Sequence, residues 1–203
     1  MAFLIFASVL MKTWIPTVLF SCLPFVAAQA ADEIQPHVAT SQQVVQAFSG
    51  QLKAALQQAI KASGPTQAID VCNRSAPAIA ASVGAEHGVQ VRRTSLKVRN
   101  PDNRPDVWET EILQQFEQRL TKGEPVGTLT HAQIVEQNGQ RTFRFMQAIG
   151  MPPMSEMPCL KCHGEALDPA VASQIKAFYP SDQATGYRAG DLRGAFSISK
   201  SLD

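Results

Sequence analysis

The chain has 203 residues, 45% hydrophobic and 17% charged, with 18 basic against 17 acidic side chains. That length suits one domain plus a targeting segment. The balanced charge gives no basic surface of the kind nucleic-acid binding requires.

Lys12 is the only charge among the first thirty residues. Read from Met11, they form a secretory signal: Met11-Lys12 as the positive start, an apolar stretch from Trp14 to Val26, and Ala28-Gln29-Ala30 as a small-residue cleavage site. On this reading residues 1–10 are an upstream start-codon artefact, and residues 1–30 are removed by cleavage after Ala30. The rival is an uncleaved anchor, because Met1 to Ala28 is long enough to span a bilayer. No later apolar run suggests a second span, so a soluble periplasmic domain is expected. Cys22 leaves with the signal, and Cys72, Cys159 and Cys162 stay. An odd number of thiols in an oxidising compartment implies a free thiol, an intermolecular bridge, or thiols consumed by other chemistry.

Residues 31–40 are polar and read as a loose lead-in, with the domain proper at 41–203. From Ser41 to Ala62, Val44, Val45, Phe48, Leu52, Leu56 and Ile60 recur at three- and four-residue steps, which predicts an amphipathic helix. Ser63-Gly64-Pro65 breaks it. A second helix is predicted from Thr66 to about Val83, with Ile69, Cys72, Ala76, Ile79 and Val83 on one stripe and Pro77 as a point of kinking or division. The two helices read as an antiparallel pair.

Val89 to Thr94 alternates like a strand, and Arg99 to Pro105 is an irregular loop. Asp106 caps a helix to about Lys122, with Trp108, Ile112, Phe116 and Leu120 inward, and Gly123 ends it. Gly127 to Ile149 reads as a hairpin turning at Asn138-Gly139. A Met- and Pro-rich loop runs from Gly150 to Gly164. A short helix from Asp168 to Phe178 and a strand from Gly194 to Ser199 complete the chain. Helices first and antiparallel strands after predict an α+β fold.

Cys159-Leu160-Lys161-Cys162-His163 carries the chemistry. Cys-x-x-Cys-His is the attachment signature of c-type haem: two thiols three positions apart form thioethers to one porphyrin, and the adjacent imidazole binds the iron. A redox dithiol would open a helix in a βαβ context, which is absent. A structural zinc site would need a second pair of ligands, and no such pair is present. One covalent haem c is therefore expected on Cys159 and Cys162, with His163 as axial ligand.

The sixth ligand is open on spacing alone. Cys72, on an apolar stripe, reads either as a small buried hydrophobe or as a ligand. Met146, Met151, Met154, Met157, His37, His87 and His131 compete with it.

Four blocks in order resemble the PAS-like single-haem c-type family long catalogued as a domain of unknown function. They are Ala68-Ile69-Asp70-Val71-Cys72; Arg93 to Pro101 with Pro105 and Trp108-Glu109; Cys159 to Gly164; and Tyr179 to Tyr187 with Gly190 to Ala195. The resemblance covers about residues 40–200. It implies a PAS-like antiparallel sheet preceded by the helical pair, and it implies Cys72 together with His163 as the iron's axial ligands. A thiolate ligand favours ferric iron, so a low-potential electron-transfer or redox-sensing protein is expected. Its partner would be an unidentified redox protein or small-molecule reductant. The alternatives are a CO- or NO-binding sensor in which Cys72 is displaced, and an enzyme acting on sulfur compounds. Arg92, Arg93 and Arg99 are candidate partners for the haem propionates.

Overall fold

The computed structural model of the chain describes residues 24–203. The expected signal peptide, residues 1–30, lies outside them except for its stretch from Pro24. Helix α1 spans Pro24–Asp70 and is bent at Gly64, whose φ of 79° and ψ of 177° leave the helical region. Glycine tolerates that φ, and Pro65 disfavours helical geometry at the residue before it. The break therefore falls where Ser63-Gly64-Pro65 places it.

The lead-in expected at 31–40 is instead part of α1. Ile34 and Val38 continue the apolar stripe and pack against the core, and the His37 ring stands 5.1 Å from that of Phe143. Two apolar residues four apart suffice to seat this polar segment on the domain.

The predicted second helix is divided. A π turn, Val71–Ser75, follows α1, and α2 runs Ala76–His87 with Pro77 in its first turn. The missing proline N–H is tolerated there. The extra residue of a π turn shifts the phase of the stripe, and the residues on either side face different neighbours. Ala76, Ala80 and Val83 join Val44, Val45, Phe48 and Leu52 in the main core, whereas Ile69 packs against Val171, Ile175 and Tyr179. Cys72 lies at the changeover.

Strands β1 (Gln90–Thr94), β2 (Thr130–Gln137), β3 (Gln140–Gly150) and β4 (Leu192–Ser201) form one antiparallel sheet in the order β1-β4-β3-β2. The β2–β3 hairpin turns at Asn138 and Gly139, both at positive φ (53° and 76°) as a two-residue hairpin requires. Phe143, Phe145, Phe196 and Ile198 face α1 and α2. Met146, Ala148 and Ala195 face α3 (Val107–Thr121) on the other side. Asp106 caps α3 with a full capping box, its carboxylate accepting from Glu109 N at 2.7 Å. The fold is α+β, with helices on both faces of the sheet. No helix among the described residues is long and apolar enough to cross a membrane.

Helix α4 (Leu160–His163) is one turn long, and α5 (Pro169–Phe178) follows it. Both lie with the 150–191 segment at the end of the sheet where β3 finishes and β4 begins.

Candidate cofactor site

Helix α4 sets the first three donors. Cys162 N and His163 N both donate to Cys159 O, at 3.1 and 3.0 Å. This single turn places the two cysteines three residues apart on one side. Gly164 N then donates to Leu160 O at 2.8 Å. A Cβ on Gly164 would stand 2.5 Å from that same oxygen, so the turn closes only on glycine. Tyr187 N donates to His163 O and Gly186 N to Gly164 O, each at 3.0 Å, which fastens the turn to the 184–187 segment.

The imidazole is oriented from behind. His163 Nδ1 lies 2.7 Å from Ala184 O. A carbonyl only accepts, so Nδ1 carries the proton and Nε2 keeps its lone pair, the tautomer of a metal-binding histidine. Burial pushes the imidazole's pKa well below its ordinary value, and the charges of Arg193 and Arg99 push the same way against the Ala184 hydrogen bond. The ring is neutral at physiological pH, the form in which an imidazole can bind a metal.

Arg99 holds this arrangement. Its Nε and Nη2 donate to the two oxygens of Asp182 at 2.9 and 3.0 Å, and Nη2 also reaches Cys162 O at 2.7 Å and Ala184 O at 3.1 Å. Ala184 N donates to Asp182 Oδ1 at 3.0 Å. One buried guanidinium thus ties the α4 turn to the loop that orients His163.

These groups border a cavity of about 450 Å³, within the usual size of a cofactor pocket. Cys159, Cys162 and His163 line it together with Cys72 from the π turn. Leu52, Leu56 and Ile60 of α1 and Ile149 and Phe196 of the sheet supply apolar wall. No disulfide joins these three cysteines. Burial raises the pKa of both Cys159 and Cys162; nearby Cys72 adds to this at Cys159, and Arg99 opposes it at Cys162. Tyr179, which lines the same cavity, is pushed up to about 12 by burial and then by Cys72, and stays a neutral phenol. Among the described residues, no three His, Cys, Asp or Glu side chains converge to hold a bare metal ion.

Of the competing donors, Met151 and Met157 also line the cavity. Met146 is buried on the α3 side of the sheet, and Met154 is exposed. His131 packs on Trp108 at 5.7 Å, His37 lies against Phe143, and His87 closes α2. None of these five borders the cavity.

The arginines need a correction. Arg93 and Arg99 line the cavity, but Arg92 does not. Successive strand residues point to opposite faces, and Arg92 lies on the α3 side, donating to Arg104 O and standing 3.6 Å from Glu109. Arg193, whose role the sequence did not signal, lines the cavity in its place. Tyr179, Asp182, Ala184 and Tyr187 fall within the matched sequence blocks, but only the fold shows what they touch.

A family model described as Tll0287-like matches residues 26–201. Among solved structures, the chain is similar to the crystal structure of the cyanobacterial heme-protein Tll0287. The two are 28% identical with a TM-score of 0.58, and the match covers 85% of this chain and 96% of that one. No curated protein matches.

Proposed function

The chain belongs to the Tll0287-like family, and on that premise we propose that it is an exported single-haem c-type cytochrome acting in low-potential electron transfer or redox sensing. Cys159 and Cys162 are the thioether anchors, and His163 and Cys72 are the axial ligands. One observation carries the reading: two thiols a helical turn apart, an imidazole with a free Nε2 and a third thiol border the same cavity. The relative's description as a heme-protein supports the choice of cofactor.

When bound, the haem supplies a one-electron couple, and the protein's residues set its terms. Ala184 O fixes the imidazole and raises its donor strength, while Arg99, sharing that carbonyl, draws electron density back. Cys72 as a thiolate favours the ferric state. The apolar wall from α1 and the sheet suits the flat, apolar face of a porphyrin. If His163 and Cys72 both held the iron, a substrate would find no open position on it, which weighs against catalysis on sulfur compounds. The signal-like residues 1–30 support export to the periplasm.

A CO- or NO-binding sensor is the second reading. Cys72 sits in a π turn, a local defect that can relax to regular helix and carry its side chain away. An optical spectrum of the reduced protein that CO leaves unchanged removes this alternative.

Low-temperature EPR of the ferric protein tests the main reading. The expected spectrum is low-spin with thiolate character, and that character disappears in Cys72→Ala while the covalent mass stays. Persistence of the thiolate signature in the variant takes Cys72 off the iron and brings Met151 or Met157 forward.

A further inference from the structure

Four cations border the cavity: Lys53, Arg93, Arg99 and Arg193. Arg99 alone has an ionic partner, Asp182. The other arginine ion pairs among the described residues belong to Arg74, Arg92, Arg119, Arg141, Arg144 and Arg188. Arg93 and Arg193 have none. The one carboxylate on the lining, Glu156, is exposed at the mouth.

Both unpaired arginines are held in place. Arg93 lies with its guanidinium 6.0 Å from the centre of the Phe48 ring, at β1 opposite Phe196. Arg193 stands on a bulge. Ile149 pairs with Gly194 and Gly150 with Leu192, so Arg193 is the extra residue between two ladder positions. A bulge bends its strand and re-aims a side chain. Neighbouring Gly194, at φ 153°, brings the backbone so near β1 that a Cβ there would lie 2.2 Å from Thr94 O. Arg193 Nη1 donates to Ser95 Oγ at 2.9 Å, and Ser95 Oγ donates to Arg193 O at 2.7 Å. Its guanidinium also lies 5.5 Å from the centre of the Tyr187 ring. Burial, with added repulsion from Arg99 and Arg93, lowers the pKa of Arg193. Two half-buried like charges that face one cavity without counter-ions repel each other, and an anionic occupant relieves that repulsion.

We propose that Arg93 and Arg193, with Lys53 at the rim, form a carboxylate-binding subsite that holds the two propionates of the cofactor. The inference rests on the haem reading above. Two carboxylates against two unpaired guanidiniums balance the charge of the cavity, and arginine's fork suits a carboxylate. The subsite also sets the redox poise, because cations beside the propionates repel the extra positive charge that ferric iron would carry and so favour the ferrous state.

The test is spectropotentiometric titration of purified holoprotein between pH 5 and 9, comparing wild type with Arg93→Gln, Arg193→Gln and Arg92→Gln. The Arg93 and Arg193 variants should retain covalent haem and the low-spin spectrum. Their midpoint potentials should fall, and the pH-dependent bend from propionate ionisation should move to higher pH. Arg92→Gln, one residue along but on the opposite face, should superimpose on wild type. Arg193 also anchors Ser95, so Arg93→Gln is the deciding variant. A coloured wild type whose curve Arg93→Gln leaves unmoved overturns the subsite, as does an equal shift in Arg92→Gln. Wild-type protein that is colourless, with the mass of the bare peptide, overturns the haem reading itself and the subsite with it.

Discussion

Asp182→Ala isolates the contact on which the site's geometry depends. The Arg99 and Asp182 side chains are only 8% and 10% exposed, and two hydrogen bonds join them. Removing the carboxylate leaves a guanidinium enclosed without its counter-ion, and breaking such a pair costs about 3–5 kcal/mol. A domain of this size loses roughly 2–4 °C of Tm per kcal/mol, so thermal unfolding followed by circular dichroism should move down by roughly 6–20 °C. Glu165→Ala is the internal control. Glu165 pairs with Arg188 at a shorter 2.7 Å, but those side chains are 58% and 74% exposed, where water screens the attraction and little stability is at stake. An Asp182→Ala variant that melts no earlier than Glu165→Ala refutes the reasoning. In that event Arg99 is hydrated, and its hold on Cys162 O and Ala184 O counts for little. A paired replacement, Arg99→Met with Asp182→Leu, should recover part of the lost stability, because an apolar pair leaves no buried charge.

Gly164→Ala should lower the yield of covalently bound haem, measured from the pyridine haemochrome spectrum against protein mass, because its Cβ would collide with Leu160 O and open the α4 turn. Wild-type yield contradicts that account of the turn. Asp106 gives a pH dependence. Burial works to raise its pKa, but the Glu109 N hydrogen bond and the Arg144 and Arg92 charges outweigh this and set it below the ordinary carboxylate value. A depressed folded-state pKa contributes stability that is present above the unfolded value of about 3.9 and lost as pH falls through the folded pKa. Asp106→Asn should therefore flatten the acid limb of a Tm-against-pH curve between pH 5 and 3, and an unchanged limb excludes this carboxylate. Asp106→Ala, which also removes the cap, should cost about 1 kcal/mol in urea unfolding.

The parts of the fold that were legible in sequence are those fixed by local chemistry. Asn138-Gly139 gave the hairpin, Asp106 the start of α3, and the steps from Val44 to Leu52 the face of α1. Residues 31–40 read as a lead-in because their polar composition argues against a packed helix, and only packing on the sheet shows what Ile34 and Val38 contribute. The π turn was half visible: Pro77 pointed to a division, but nothing in the stripe announced an extra residue before it. Strand alternation could have separated Arg92 from Arg93 in advance. Arg193 could not have been found that way, because a bulge suspends the alternation at its own position.

The donors themselves divide along the same line. Cys159, Cys162 and His163 lie within one helical turn, so their relation to one another is local. Everything else that borders the proposed site comes from far along the chain. Cys72 arrives on the π turn, Arg99 from the loop after β1, Ala184 and Asp182 from the loop before β4, and Arg193 from the β4 bulge. A Cys-x-x-Cys-His segment can capture a haem in almost any context, and it says nothing about the opposite side of the ring. What distinguishes this protein is therefore the tertiary structure that brings a third thiol to the same cavity and leaves two arginines on its lining without ionic partners. Both features depend on the domain being folded.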